Sequence, residues 1–237
     1  MTLRVAGINC FYGHVQVLRD LSLEVAAGEV LCLLGRNGAG KTTTLKAIMG
    51  LLKPRSGKIF LDDTELTALS AHEIPRRGIA YVPQGRRLFS ELTVEENLMI
   101  GLMVRGHGRE TLDCVLALFP VLKERLRQTS ATLSGGEQEM LAVARALCVE
   151  PKVLLLDEPT EGLMPAMIAT ILATVRTLCA QGVAIILVEQ RVEAALSVAD
   201  RVAFIENGVA RETATPDALR ADPSLLHRYV GVGLERR

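Results

Sequence analysis

Apolar positions along the chain follow two different spacings, and the places where the spacing changes divide it. Residues 3–8 and 20–25 alternate apolar with polar side chains and predict strands. Glu29-Val-Leu-Cys-Leu-Leu34 is an almost unbroken apolar run, the mark of a strand covered on both faces. It leads into a glycine-rich segment, after which Lys41–Met49 continues as a helix. Gly57–Leu61 and Ile79–Val82 predict further strands. From about Glu95 to Glu150 the strand signal fades. There Leu112, Val115, Leu116 and Phe119 recur at helical spacing, as do Met140, Leu141, Ala144 and Leu147. Alternation resumes with a strand at Val153–Asp157, a helix near Pro165–Ala180, strands at Val183–Glu189 and Arg201–Glu206, and short helices between Asp217 and Tyr229. This order predicts an α/β fold with a mostly parallel sheet flanked by helices, and the helical middle reads as an inserted subdomain.

Composition narrows the classes of function. The 237 residues are 49% apolar, enough for a sizeable globular core. Lys plus Arg and Asp plus Glu number 27 each, so net charge is zero and a broad nucleic-acid surface is not expected. Any phosphate binding must come from a local site. The five cysteines form no CxxC pair and read as reduced core thiols of a cytosolic protein. The four histidines form no metal-binding pattern, so no protein-held metal cluster is expected. No apolar run approaches the ~20 residues of a membrane span, and the N-terminus lacks a signal-peptide core. A soluble chain that sits against a membrane protein fits these features.

Two segments carry the chemistry. Gly35-Arg36-Asn37-Gly38-Ala39-Gly40-Lys41-Thr42 has the P-loop spacing, with Thr43 following. Glycines let successive backbone N–H groups converge on a phosphate, and the helix start adds its positive dipole end. In such a loop Lys41 can reach the outer phosphates and Thr42 can ligate the accompanying Mg²⁺, against the plainer reading of a glycine-rich turn. Val153-Leu-Leu-Leu-Asp157-Glu158 ends an apolar strand with two acids, at the side where open α/β sheets bind ligands. Asp157 is the candidate for Mg²⁺ and Glu158 the candidate general base, although an N-cap with a first-turn acid has the same pattern. Downstream, Ser134-Gly135-Gly136-Glu137 fits a capping box. A plain cap does not need two consecutive glycines, which weaken a first turn. They make sense where backbone N–H groups meet a phosphate.

Leu133-Ser134-Gly135-Gly136-Glu137-Gln138 matches, residue for residue, the signature of the ATP-binding cassette (ABC) ATPase superfamily, which the chain resembles over essentially its whole length. The resemblance implies a P-loop NTPase core within one domain spanning 1–237. It adds an N-terminal antiparallel β subdomain and an inserted helical subdomain at about 86–150. Tyr12 then looks like the aromatic that stacks on adenine, and Gln84 like the Q-loop residue that touches Mg²⁺ or the lytic water. Thr160-Glu161-Gly162-Leu163-Met164 falls at the D-loop. Such cassettes pair head to tail, so Ser134, Gly135, Gly136 and Glu137 would meet the ATP of a second chain. Two positions depart from the pattern. Gln190 stands where the switch histidine is usual; it can donate to the γ-phosphate but cannot take a proton. Met164 replaces the D-loop aspartate.

Val188-Glu189-Gln190, Gly85-Arg86-Arg87-Leu88-Phe89, Leu92–Leu98 and Gly136–Leu141 resemble the smaller ATPase subunit of branched-chain amino acid importers, the LivF type. Val82–Arg86 and Glu158–Gly162 also resemble urea and short-chain amide relatives. Either implies transmembrane permease subunits and a second cassette, sister or self, as partners. It also implies a solute-binding protein outside the membrane and a peripheral place on the cytoplasmic face. Arg76, Arg77, Arg86 and Arg87 flank the Q-loop, on the side that faces the permease in importers, although a solvated basic face explains each one singly. A cassette for nucleic-acid or ribosome work would need a second P-loop, a coiled-coil arm or a basic surface. A non-hydrolysing regulatory cassette is opposed by Lys41, Asp157 and Glu158.

Overall fold

A computed structural model of the chain describes residues 1–106 and 108–231. His107 and residues 232–237, which the single-domain expectation includes, lie outside the described residues. The strands are β1 (Thr2–Tyr12), β2 (Val15–Ala26), β3 (Val30–Leu34), β4 (Ser56–Leu61), β5 (Thr64–Glu65), β6 (Ile79–Val82), β7 (Val153–Asp157), β8 (Ala184–Val188), β9 (Arg201–Glu206) and β10 (Val209–Ala214). The helices are α1 (Lys41–Ile48), α2 (Val94–Met103), α3 (Arg109–Leu118), α4 (Pro120–Glu124), α5 (Gly135–Leu147), α6 (Pro165–Ala180), α7 (Val192–Val198), α8 (Pro216–Ala221) and α9 (Ser224–Tyr229).

Six strands form one sheet in the order β10-β9-β3-β8-β7-β6. The pairs β3–β8, β3–β9, β6–β7 and β7–β8 are parallel, and β9–β10 is antiparallel. Every residue of β3, β7 and β8 is buried, as their unbroken apolar runs require. Each such Leu, Ile or Val contributes about 2 kcal/mol by leaving water. The carboxyl ends of these strands, where Gly35, Glu158 and Glu189 follow, are therefore held on a rigid platform. A second sheet, β2-β1-β4-β5, is antiparallel, matching the expected β subdomain.

The first strands run longer than the alternation suggests. Register shifts at Val5/Ile8, Ile8/Cys10 and Cys10/Phe11 break the period of two, so only their regular parts read as strand. β10 went unread because Val-Ala-Arg-Glu-Thr-Ala is polar, as an edge strand can be. The signal that finds it is Asn207-Gly208, both at positive φ (51° and 79°), a two-residue hairpin turn. Four cysteines are buried as expected, but Cys114 is not a core residue: α3 turns it to solvent.

In the middle of the chain, α2 and α5 cross closely enough that a Cβ on Gly101 would lie 2.3 Å from the Arg145 carbonyl oxygen. Met140, Leu141, Ala144 and Leu147 are all buried. Phe119, between α3 and α4, is among the largest fully buried side chains.

Candidate functional site

The P-loop turn leaves β3 at Gly35 and enters α1 at Lys41. A Cβ on Gly35 would lie 2.1 Å from the Ile205 carbonyl oxygen of β9, so only glycine lets the chain turn there. Gly38 and Gly40 take φ of 78° and 114°. Ala39 N–H donates to Arg36 O at 3.1 Å, and Gly208 N–H to Ala39 O at 2.8 Å, fixing the loop from inside and from the β9–β10 turn. Leu18 of β2 packs on Gly40. Tyr12, at the end of β1 in the β1–β2 hairpin, is 45% exposed and available as a flat apolar surface. Arg36, Asn37 and Gly38 are exposed, and Thr43 is buried.

Lys41 is buried, yet its ammonium stays wet with carbonyls: Nζ donates to Gly35 O at 2.7 Å and to Arg36 O at 3.1 Å. Burial pulls its proton affinity below the usual lysine range, while Glu158 and Asp157 push the other way. Two of three N–H donors are thus committed to the loop, which leaves one more N–H to donate.

Asp157 ends β7 with 1% exposure. Its Oδ1 accepts from Thr42 Oγ1 at 3.0 Å and its Oδ2 from Tyr81 Oη at 3.1 Å. Burial raises its carboxyl, and these two hydroxyls offset only part of that rise. A buried carboxylate with a threonine hydroxyl beside it is a set of hard oxygens suited to a divalent cation. Among the described residues no cluster of three His, Cys, Asp or Glu could hold a metal alone. Tyr81 was missed by sequence reasoning as a site residue; its position at the end of β6, three residues before Gln84, was the available signal.

Glu158 has φ of 55°, and its N–H donates to Val188 O at 2.9 Å. This left-handed step swings its carboxylate off the strand axis. Its Oε2 accepts from Gln190 Nε2 at 2.7 Å and from Gln84 Nε2 at 3.1 Å. Gln84 Nε2 also donates to Glu161 at 2.9 Å. Three residues separated by up to 106 positions thus converge, with Gln190 facing the candidate base itself. Next to it, Glu189 is buried and raised by that burial, and it accepts from Thr160 N–H at 3.3 Å.

Ser134 caps α5, with Glu137 N–H donating to Ser134 Oγ at 3.4 Å and Ser134 N–H to Glu137 Oε2 at 2.8 Å. Arg125 pairs with Glu137 at 3.0 Å. The two glycines have a packing reason besides the expected one. A Cβ on Gly136 would lie 2.7 Å from Met167 Cγ, and one on Gly135 3.0 Å from Arg86 Nη2. Among the described residues no hydrogen bond links Ser134–Glu137 to the P-loop. Arg86 is not part of a solvated basic face: it pairs with Glu139 at 3.6 Å and donates to Gln138 at 3.0 Å. Met164 is 66% exposed at the start of α6 and makes no side-chain cap.

A P-loop after β3, an acid pair at the end of β7, two strands away, and a capped Ser-Gly-Gly turn stand in one fold. Residues 18–161 match the family described as ABC transporter. The chain is 45% identical over 226 residues to the high-affinity branched-chain amino acid transport ATP-binding protein BraG of Pseudomonas aeruginosa, covering 94% of this chain and 97% of that protein. It is 38% identical over 221 residues to the probable branched-chain amino acid transport ATP-binding protein LivF of Archaeoglobus fulgidus, covering 89% and 93%. Of solved structures, the ADP conformation of MJ1267, an ATP-binding cassette of an ABC transporter, is similar with a TM-score of 0.86 at 26% identity, over 98% of this chain and 100% of that one. Family match, near full-length relatives and a shared fold agree: the chain belongs to the ABC transporter family, as one of its ATP-binding ATPase cassettes.

Proposed function

We propose that this cassette hydrolyses ATP to drive an importer of branched-chain or other hydrophobic amino acids. The observation that carries the chemistry is the Glu158 carboxylate, held by two amides beside the Asp157–Thr42 pair. The solute class rests on 45% identity to BraG along nearly the full length of both chains.

In this reading the phosphates lie in the turn formed by Gly35, Arg36, Asn37, Gly38, Ala39, Gly40, Lys41, Thr42 and Thr43, and adenine stacks on Tyr12. Lys41 gives its remaining N–H to an outer phosphate. Thr42 and Asp157, with Gln84, hold Mg²⁺, which neutralises phosphate charge when bound. Water oxygen bonds to the γ-phosphorus, the bond to the bridging oxygen breaks with its electron pair leaving on ADP, and Glu158 takes the proton from water. The amides of Gln84 and Gln190 keep the carboxylate aimed. Gln190 donates but does not itself titrate. Ser134, Gly135, Gly136 and Glu137 complete the site on the ATP of a second cassette, either a copy or a sister subunit. Donors converging from two sides suit a charge spread over many oxygens.

A cleft of about 520 Å³ is lined by Thr42, Gln84 and Asp157 of the nucleotide site and also by an apolar wall of Leu51, Pro75, Ile100 and Val104. We assign the apolar wall to a permease segment; in this reading the cassette sits on the cytoplasmic face of the membrane and a solute-binding protein acts outside. Among the described residues no helix is long and apolar enough to cross a membrane.

Glu158→Gln tests the chemistry. The variant should keep ATP, accumulate as a dimer and lose turnover by about 10²–10⁴-fold. Hydrolysis at the unaltered rate would remove Glu158 as the base. With permease and solute-binding partners reconstituted, leucine-stimulated hydrolysis supports the solute class, and stimulation by urea or a short-chain amide in its place overturns it.

A further inference from the structure

The turn after Gln84 is fastened to the first turn of the signature helix through the side chain of Arg86. Gly85, Arg86 and Arg87 all have positive φ, at 80°, 66° and 48°. Two successive non-glycine residues persist in that region only where surrounding contacts over-determine them. Here the contacts come from α5. Arg86 Nη1 donates to Gln138 Oε1 at 3.0 Å, and Nε lies 3.6 Å from Glu139 Oε2. The guanidinium rests on Gly135, where there is no room for a Cβ without displacing it. One turn or more along the helix, Arg145 Nη2 donates to Arg87 O at 2.7 Å. Glu139 is 6% exposed, so its charge depends on this partner. Two residues before Arg86, Gln84 touches Glu158.

We propose that Arg86 is a positioning residue that sets the orientation of the first turn of α5, and through it the Ser134–Gly136 N–H groups offered to the nucleotide of the second cassette. The inference rests on the shared-site reading above. A planar fork is needed: one edge reaches the Gln138 amide oxygen, another the Glu139 carboxylate, and the flat face lies on Gly135. The strained turn and the helix start thus move as one piece, which ties the residue beside a chain's own base to the surface it presents to its partner.

The test measures, by sedimentation, the ATP concentration for half-maximal dimer in the Glu158→Gln background. Adding Arg86→Ala should raise that midpoint about tenfold, and Arg86→Lys should not restore it, since a point charge cannot make both contacts. Glu139→Gln, which keeps the volume, should raise it severalfold, and combining it with Arg86→Ala should add nothing further. Binding of a fluorescent ATP analogue to the monomer, at dilution, should stay within about twofold, whereas general loosening of the fold would weaken it too. A midpoint for Arg86→Ala within about twofold of its parent overturns the inference. Should Arg86→Ala not fold, an unmoved midpoint for Glu139→Gln overturns it alone. A Glu158→Gln parent that never dimerises with ATP defeats the shared-site reading instead, and this inference with it.

Discussion

Replacing Glu139 with glutamine should stabilise the isolated, nucleotide-free chain in mild alkali. Burial pushes this carboxyl up to about 7 from its ordinary 4.5, Arg86 offsets only part of the rise, and Glu189 adds to it. Between those two values the folded chain holds a proton that the unfolded chain has released. Stability contributed by this group is therefore highest below pH 4.5, falls as pH rises towards 7, and is level above that. The ionised carboxylate costs about 3 kcal/mol at pH 8 and close to nothing below the unfolded value. Glutamine keeps the volume and cannot ionise. The gap between variant and parent should widen by about 2 kcal/mol from pH 5.5 to pH 8, or roughly 4–8 °C in Tm for a chain of this size. Thermal unfolding followed by circular dichroism at the two pH values reads it. Subtracting parent from variant removes Asp157, whose affinity burial also raises, while Glu189 enters the difference only through its repulsion of Glu139. A gap that does not change with pH, or a variant less stable at pH 8, would refute the reasoning.

Two further substitutions probe the frame and the site. Gly101→Ala puts a Cβ 2.3 Å from Arg145 O and 2.8 Å from Cys148 Cβ, forcing α2 from α5. The overpacking cost exceeds the gain in helix propensity, for a net loss of about 2 kcal/mol in chemical denaturation; an equal or greater midpoint speaks against so close a crossing. Gln190→Ala removes the 2.7 Å hydrogen bond to Glu158, a neutral donor on a carboxylate. Turnover should fall about tenfold or more while ATP affinity of the single chain holds, and an unchanged rate excludes Gln190 from aiming the base.

What the sequence disclosed and what it hid follow from the range of the interactions. β3, β7 and β8 were legible because burial on both faces leaves an unbroken apolar run, and α6 because proline opens a helix with apolar periodicity. The P-loop and the capping box at Ser134 were legible because their chemistry is local, set by spacing within eight residues. The partners of Glu158 became clear only in three dimensions. Nothing near Gln84 or Gln190 in the chain says that both amides turn to one carboxylate oxygen. Tyr81 is hidden likewise, since its hydroxyl meets Asp157 only because β6 pairs with β7. Arg86 was read as a surface cation because charge alone does not reveal a buried partner 53 positions away.

The cleft beside the Q-loop has a consequence for life before assembly. Leu51 on its wall is 58% exposed, and α2, which lines it, also presents Met99 and Met103 at 45% and 76%. Phe89, in the turn leading to α2, is 50% exposed. On the proposal that a permease covers this face, a subunit made in excess leaves it sticky and oxidisable. Surplus copies should therefore self-associate or be cleared by chaperones and proteases, tying the lasting supply of this cassette to the supply of its membrane partners.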